Sequence, residues 1–175
     1  MEEGTVYWVT GLSGAGKTTI GKLLYEHILT KKKNVVFLDG DTLRQVFGND
    51  LGHSEEERRI SARRNANLCA LLSSQGIDVV CCTISMFQSI RNWNRENIKN
   101  YCEIYLQVPL SVLKKRNQKS MYSDVEEGKT KNVWGLDIMV EEPKKPDMVI
   151  VNDGSYPPEL IVKQIIEKAV TSEWR

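Results

Sequence analysis

At 175 residues the chain suits a single domain, 1–175, with a core large enough to fold on its own. Hydrophobic residues make up 41% and charged residues 27%, an ordinary globular balance, and no apolar stretch approaches the roughly 18–20 residues of a membrane span. A formal net charge of +1 supplies no bulk field for nucleic acid or a membrane surface, so neither is expected as a partner. The opening Met1-Glu2-Glu3-Gly4 lacks the basic-then-apolar pattern of a signal peptide. Cys69, Cys81, Cys82 and Cys102 show no metal-ligand spacing, and the adjacent Cys81 and Cys82 read as small core residues of a reduced, cytoplasmic protein.

Thr5 to Thr10 reads as a strand, and Ile20, Leu23, Leu24, Ile28 and Leu29 recur at helical spacing. Between them Gly11-Leu12-Ser13-Gly14-Ala15-Gly16-Lys17-Thr18-Thr19 fits G-x-x-x-x-G-K-[ST]. A strand feeding a glycine loop that opens a helix aims several N–H groups and the positive helix end at one point, which suits phosphate. Gly11, Ser13, Gly14, Ala15, Gly16 and Thr19 would supply the cradle; Lys17 would reach the β- and γ-phosphates and the Thr18 hydroxyl would help hold Mg²⁺. The run Lys31-Lys32-Lys33 is a solvated helix end, and His27 is expected at the surface.

Asn34 to Leu38 reads as a buried parallel strand ending in Asp39-Gly40-Asp41. Two carboxylates there face the crevice in which open α/β sheets bind ligands. The same residues suit a turn with Asp41 capping the helix Thr42-Leu43-Arg44, but beside a phosphate loop the functional assignment prevails. Ser54-Glu55-Glu56-Glu57 is a capping box opening a helix to about Ser73. Leu68, Leu71 and Leu72 mark its core side, with Arg58, Ser61 and Asn65 on another face. Arg58, Arg59, Arg63 and Arg64 also suit a solvated face paired with the glutamates.

Gly76 to Ser85 is a third strand, with Ser85 on the ligand edge and no histidine nearby to make it a nucleophile. A helix follows with Trp93 packed inward. Tyr101 to Val108 is the fourth strand; Pro109 starts a short helix ending near Lys115-Arg116. The polar, periodless stretch Asn117 to Lys131 reads as a lid, in which Arg116 and Lys119 could bring positive charge onto a transferring phosphate. Asp147 to Val151 is the fifth strand, Asn152-Asp153-Gly154-Ser155 a turn, and Pro157-Pro158-Glu159 the start of a last helix. The order gives an α/β chain: a parallel five-stranded sheet flanked by helices in three layers, with a lid at about 116–135.

The phosphate loop, Phe37-Leu38-Asp39-Gly40-Asp41-Thr42-Leu43-Arg44, Leu51-Gly52-His53-Ser54, Ile84-Ser85, and Arg116, Lys119, Tyr122, Gly128, Gly135, Asp137 and Pro143 together resemble the adenylyl-sulfate kinase family. The resemblance runs from Thr5 to about Gly154 and implies a P-loop kinase fold. It implies transfer of the γ-phosphoryl group of ATP, with Mg²⁺, to the ribose 3′-hydroxyl of a small nucleotide anhydride. Asp41 would then help position metal with Thr18 and accept the hydroxyl proton, with Asp39 alongside; Lys17 and Lys119 would serve the transferring group and Arg116 the donor. Arg44, Arg58, Ile84 and Ser85 would hold the acceptor. Family members are often dimers, so a homodimer is implied.

The departures fall in the acceptor pocket. His53 and Val133 replace two phenylalanines that sandwich adenine in the family, Ser61 replaces an asparagine, Met86 a proline, and Trp134 a threonine. Aromatic stacking carries about 0.5–1.5 kcal/mol beyond its area, so losing two rings at one base argues for a different base. Thr83-Ile84-Ser85-Met86-Phe87 with Arg91-Asn92-Trp93-Asn94-Arg95 is similar to the cytidine diphosphoramidate kinases of bacterial capsule modification. Adenylyl sulfate is the alternative acceptor. A nucleotide-hydrolysing switch is the alternative of another class; the cationic lid and acceptor-side helix favour a kinase.

Overall fold

The computed structural model describes residues 2–117, 120–129, 131, 133, 135–136 and 140–171. Five strands, β1 (Thr5–Thr10), β2 (Val35–Asp39), β3 (Asp78–Thr83), β4 (Asn100–Gln107) and β5 (Met148–Val151), form one sheet in the order β2-β3-β1-β4-β5. Every pairing is parallel, so all five carboxyl ends lie along one edge. The connections are α1 (Lys17–Lys31), α2 (Gly40–Val46), α3 (Glu55–Ser74), α4 (Gln88–Asn97), α5 (Leu110–Arg116) and α6 (Met121–Glu126), and α7 (Pro158–Thr171) closes the chain. This is the three-layer P-loop arrangement expected.

The central strand shows why both faces need helices. Val6 and Trp8 belong to the core under α3 and α4, and Val9 to the core under α1 and α7. All three are fully buried, as the two-residue alternation of a strand covered on both sides demands. α1 lies hard against β3: a Cβ on Gly21 would fall 2.1 Å from Cys82 Sγ.

Three details differ from the sequence expectation. The buried face of α3 is Ala62, Asn65, Ala66, Cys69 and Ser73, and Leu71 is exposed. At about 100° per residue Leu71 sits roughly opposite Ala62, so the small residues set the inner face, while Leu72 packs half-buried against the same core. Trp93 packs against the core under α3 and α4 as expected, half-buried, with the Arg63 guanidinium 4.7 Å from its ring centroid; Ile90, Arg91 and Asn94 are the fully buried residues of α4. His27 is half-buried. The 117–131 stretch contains the regular turn of α6, fixed by one buried side chain, Tyr122. Among the described residues no helix is long and apolar enough to cross a membrane.

Candidate active site

β1 delivers the chain to the ligand edge, and the loop turns back at once into α1. Gly11 is required there because a Cβ would lie 2.7 Å from the Leu106 carbonyl oxygen. Gly16 caps α1 at φ +89°, a conformation that favours glycine. Three consecutive loop carbonyls are held from outside. Tyr122 Oη donates to Ser13 O at 2.9 Å, Arg116 Nη1 to Gly14 O at 2.9 Å, and Asn152 Nδ2 to Ala15 O at 2.8 Å. Inside the loop Ala15 N–H and Lys17 Nζ both donate to Leu12 O, at 3.1 and 2.8 Å.

The loop lies between two hollows. A cavity of about 420 Å³ is walled by Lys17, Thr18, Asp39, Asp41, Arg44, His53, Arg58, Ser61, Asn65 and Ile84, among others. A second, of about 600 Å³, is walled by Arg116, Asn152, Tyr156 and the 154–158 turn. Gly14, Gly16 and Thr19 line both.

Asp39 ends β2 and caps α2, its Oδ1 accepting from Asp41 N–H at 3.0 Å. The alternative reading of this turn gave the cap to Asp41. The β-region backbone of Asp39 and its acceptor two residues before that N–H make Asp39 the cap and place Asp41 in the first helical turn. Asp39 Oδ2 accepts from the Thr18 hydroxyl at 2.7 Å, so the carboxylate found beside Thr18 is Asp39. Both aspartates border the first cavity.

The far wall is the loop before α3 and the first turns of that helix. Ser54 and Glu57 form the capping box, and Glu57 Oε1 also accepts from Gly52 N–H at 2.8 Å. The Ser54 hydroxyl, followed by the N–H groups of Gly52 and Ser54, holds the Glu57 carboxyl below its usual range. Arg44 donates to the carbonyls of Leu51 and Gly52, and Arg58 Nε to that of His53 at 2.9 Å. These braces present the His53 ring to the cavity. Desolvation first, then the Arg44 and Arg58 charges, push the His53 pKa below its ordinary value.

Ser85 is fully buried and is not part of the cavity wall; its N–H donates to Thr10 Oγ1 at 3.3 Å and its carbonyl accepts from Arg91 Nη1 at 2.9 Å. Ile84, one residue earlier, takes the wall position. Val133 is buried away from the wall. Lys119 and Trp134 lie outside the described residues. Arg116 stands on the second cavity.

Sequence reasoning passed over Tyr156, gave Asn152 only a turn, and named Arg91 and Arg95 only within a resemblance, with no part in an ion cluster. The carboxyl-end rule that marked Asp39 would also have marked Asn152, which directly follows β5. Arg91 is wholly buried, pairs with Glu103 at 3.2 Å and donates to the carbonyls of Ser85 and Glu141. Arg95 joins Glu103 to Asp147. Burial pushes the Glu103 pKa up, and the two arginines pull it back.

A cradle with two aspartates and a basic second wall can carry out phosphoryl transfer to a small acceptor. The family model described as adenylylsulphate kinase matches residues 3–151. The chain belongs to the adenylylsulphate kinase family. It is an ATP-dependent kinase of that family, a phosphotransferase with an alcohol acceptor. It is 40% identical over 163 residues to a cytidine diphosphoramidate kinase of Campylobacter jejuni, covering 93% of this chain and 95% of that one. It is 38% identical over 170 residues to an adenylyl-sulfate kinase of Pseudomonas aeruginosa, covering 96% and 86%. The structure of the Mycobacterium tuberculosis APS kinase CysC in complex with AMPPNP and APS superposes with a TM-score of 0.87 at 27% identity, over 97% of this chain and 99% of that one.

Proposed function

We propose that this kinase transfers the γ-phosphoryl group of ATP to the ribose 3′-hydroxyl of cytidine diphosphoramidate. The observation that carries the reading is the acceptor wall. Among the described residues no phenylalanine, tyrosine or tryptophan lines the first cavity; the wall opposite the cradle is His53, Arg58, Ser61 and Asn65. A smaller pyrimidine needs less stacking surface than a purine, and the cytidine diphosphoramidate kinase of C. jejuni is the relative at 40% identity.

The donor's phosphates would lie in the cradle, with Lys17 on the β- and γ-groups and the base toward Arg116 and Tyr156. The acceptor would enter the first cavity, its anionic end near Arg44 and Arg58 and its hydroxyl toward Asp41. Asp41 would take the hydroxyl proton as the phosphorus–oxygen bond to the acceptor forms and the bond to ADP breaks. The donor set fits Mg²⁺, a hard cation that prefers oxygen: the Thr18 hydroxyl and the carboxylates of Asp39 and Asp41 would hold it. When bound it would neutralise charge between the β- and γ-phosphates. Holding the groups in line and matching charge to charge is the bulk of what such a transfer needs.

The test is an acceptor panel of cytidine diphosphoramidate, adenylyl sulfate and the matching uridine compound, with kcat/KM measured side by side and the phosphorylated position located by ³¹P and ¹H NMR. The expected result is a clear preference for the cytidine compound. A preference for adenylyl sulfate, which the P. aeruginosa relative at 38% identity would favour, overturns the assignment of the base.

A further inference from the structure

We propose that Asn152 and Tyr122 are positioning residues of the phosphate cradle, holding its peptide planes so that the N–H groups of Gly14 and Gly16 aim at the phosphoryl donor. The proposal rests on the kinase reading and adds to it a device outside the phosphate-loop motif.

In a planar trans peptide the carbonyl of one residue and the N–H of the next point in opposite directions. Tyr122 Oη on Ser13 O therefore turns Gly14 N–H the other way, and Asn152 Nδ2 on Ala15 O does the same for Gly16 N–H. The peptide between them is used differently. Its carbonyl, Gly14 O, meets Arg116, and its N–H, on Ala15, closes the loop on Leu12 O. Alternate peptides thus face the ligand side, and each of those is gripped by one neutral donor from a remote part of the chain.

Both donors are themselves fixed. Asn152 N–H donates to Gln107 O at 3.0 Å, and Arg116 Nη2 donates to Asn152 O at 2.8 Å. Its amide is packed against the loop: a Cβ on Gly16 would lie 2.5 Å from Asn152 Nδ2. The Tyr122 ring is buried, and its own N–H is held by Asn117 Oδ1 at 3.1 Å. An amide array fixed before the ligand arrives spends no binding energy on reorganising. The contact from Tyr122 also ties α6, within the expected lid, directly to the cradle.

Three variants test this: Asn152→Leu, which keeps the branched skeleton and loses the donor; Asn152→Asp, which sets an acceptor against Ala15 O; and Tyr122→Phe, which keeps the ring and loses the hydroxyl. Equilibrium binding is measured by calorimetry with Mg–ATP and with inorganic tripolyphosphate, alongside steady-state KM values for ATP and for the acceptor. One net hydrogen bond corresponds to a change of about three- to tenfold. Asn152→Leu and Tyr122→Phe should raise the Kd of both ATP and tripolyphosphate by that factor. Asn152→Asp should raise both by more than tenfold. The acceptor KM should stay within about twofold of the parent's. Tripolyphosphate affinity unchanged in all three variants, with ATP affinity alone reduced, would place these residues on the base and overturn the proposal. Failure of the parent protein to bind either probe would overturn the kinase reading with it.

Discussion

The Thr18 hydroxyl donates to Asp39 Oδ2 at 2.7 Å, while the other oxygen of that carboxylate caps the helix carrying Asp41. One side chain thus joins the start of α1 to the start of α2, and fixes the spacing between the phosphate loop and the candidate base. Asp39→Asn separates the two jobs. Asparagine caps about as well as aspartate, so the melting temperature should hardly move. The lost charge should raise the Mg²⁺ concentration needed for half-maximal rate. Asp41→Asn should raise that requirement too and, beyond it, lower kcat at saturating Mg²⁺ by about 10²–10⁴-fold, the range for a general base, with ATP binding retained. An equal fall in kcat at saturating Mg²⁺ in both variants would contradict the division of labour.

The His53 pKa is lowered by partial desolvation and by Arg44 and Arg58, so the folded protein disfavours its proton. The unfolded chain then binds more protons, and stability rises with pH across that interval. The contribution is complete above the ordinary value of 6.5 and is lost as pH falls through the lower folded value. Replacing His53 by alanine should flatten the dependence of melting temperature on pH in the weakly acidic range. A His53 ring titrating by NMR above 6.5 would reverse the sign.

Arg91→Met leaves Glu103 buried with only Arg95 beside it. Breaking a buried pair from one side costs about 3 kcal/mol here, the low end of the usual range because one cation remains. The Glu103 pKa is already raised by burial and would rise further in the variant. The deficit should therefore shrink on going from pH 7 toward pH 5, as protonation removes the stranded charge. Urea unfolding at the two pH values measures this; a deficit independent of pH would show that packing dominates.

Gly21→Ala improves intrinsic helix propensity by about 1 kcal/mol, but its Cβ would fall 2.1 Å from Cys82 Sγ. Steric conflict should win, with a net loss of about 1–2 kcal/mol, as overpacked cores show. Adding Cys82→Ala should restore much of it. Equal losses in the single and double variants would place the strain elsewhere.

What the chain reveals by inspection depends on how local the cause is. The phosphate loop is legible because motif, strand and helix follow one another within about two dozen residues, and the Ser54 box because Glu57 is three residues away. Leu71 misleads because three leucines look like a core stripe, whereas the sheet is met by Ala62, Ala66 and Cys69. Asn152 lies 137 residues from the carbonyl it holds, and Tyr122 109 from its own. Only the strand order that sets β4 beside β1 and β5 beside β4 brings them to the cradle. Ser85 sits at the right edge, yet the Thr10 and Arg91 contacts at its backbone turn it inward and leave Ile84 on the wall.

The far wall of the first cavity stands on a capped, exposed helix start rather than on the sheet. Positions 53, 58 and 61 can therefore be exchanged with little disturbance to either core, while the triphosphate half stays anchored to β1 and β2. A lineage built this way can retire one metabolite and adopt another by a handful of surface replacements, keeping its engine intact throughout.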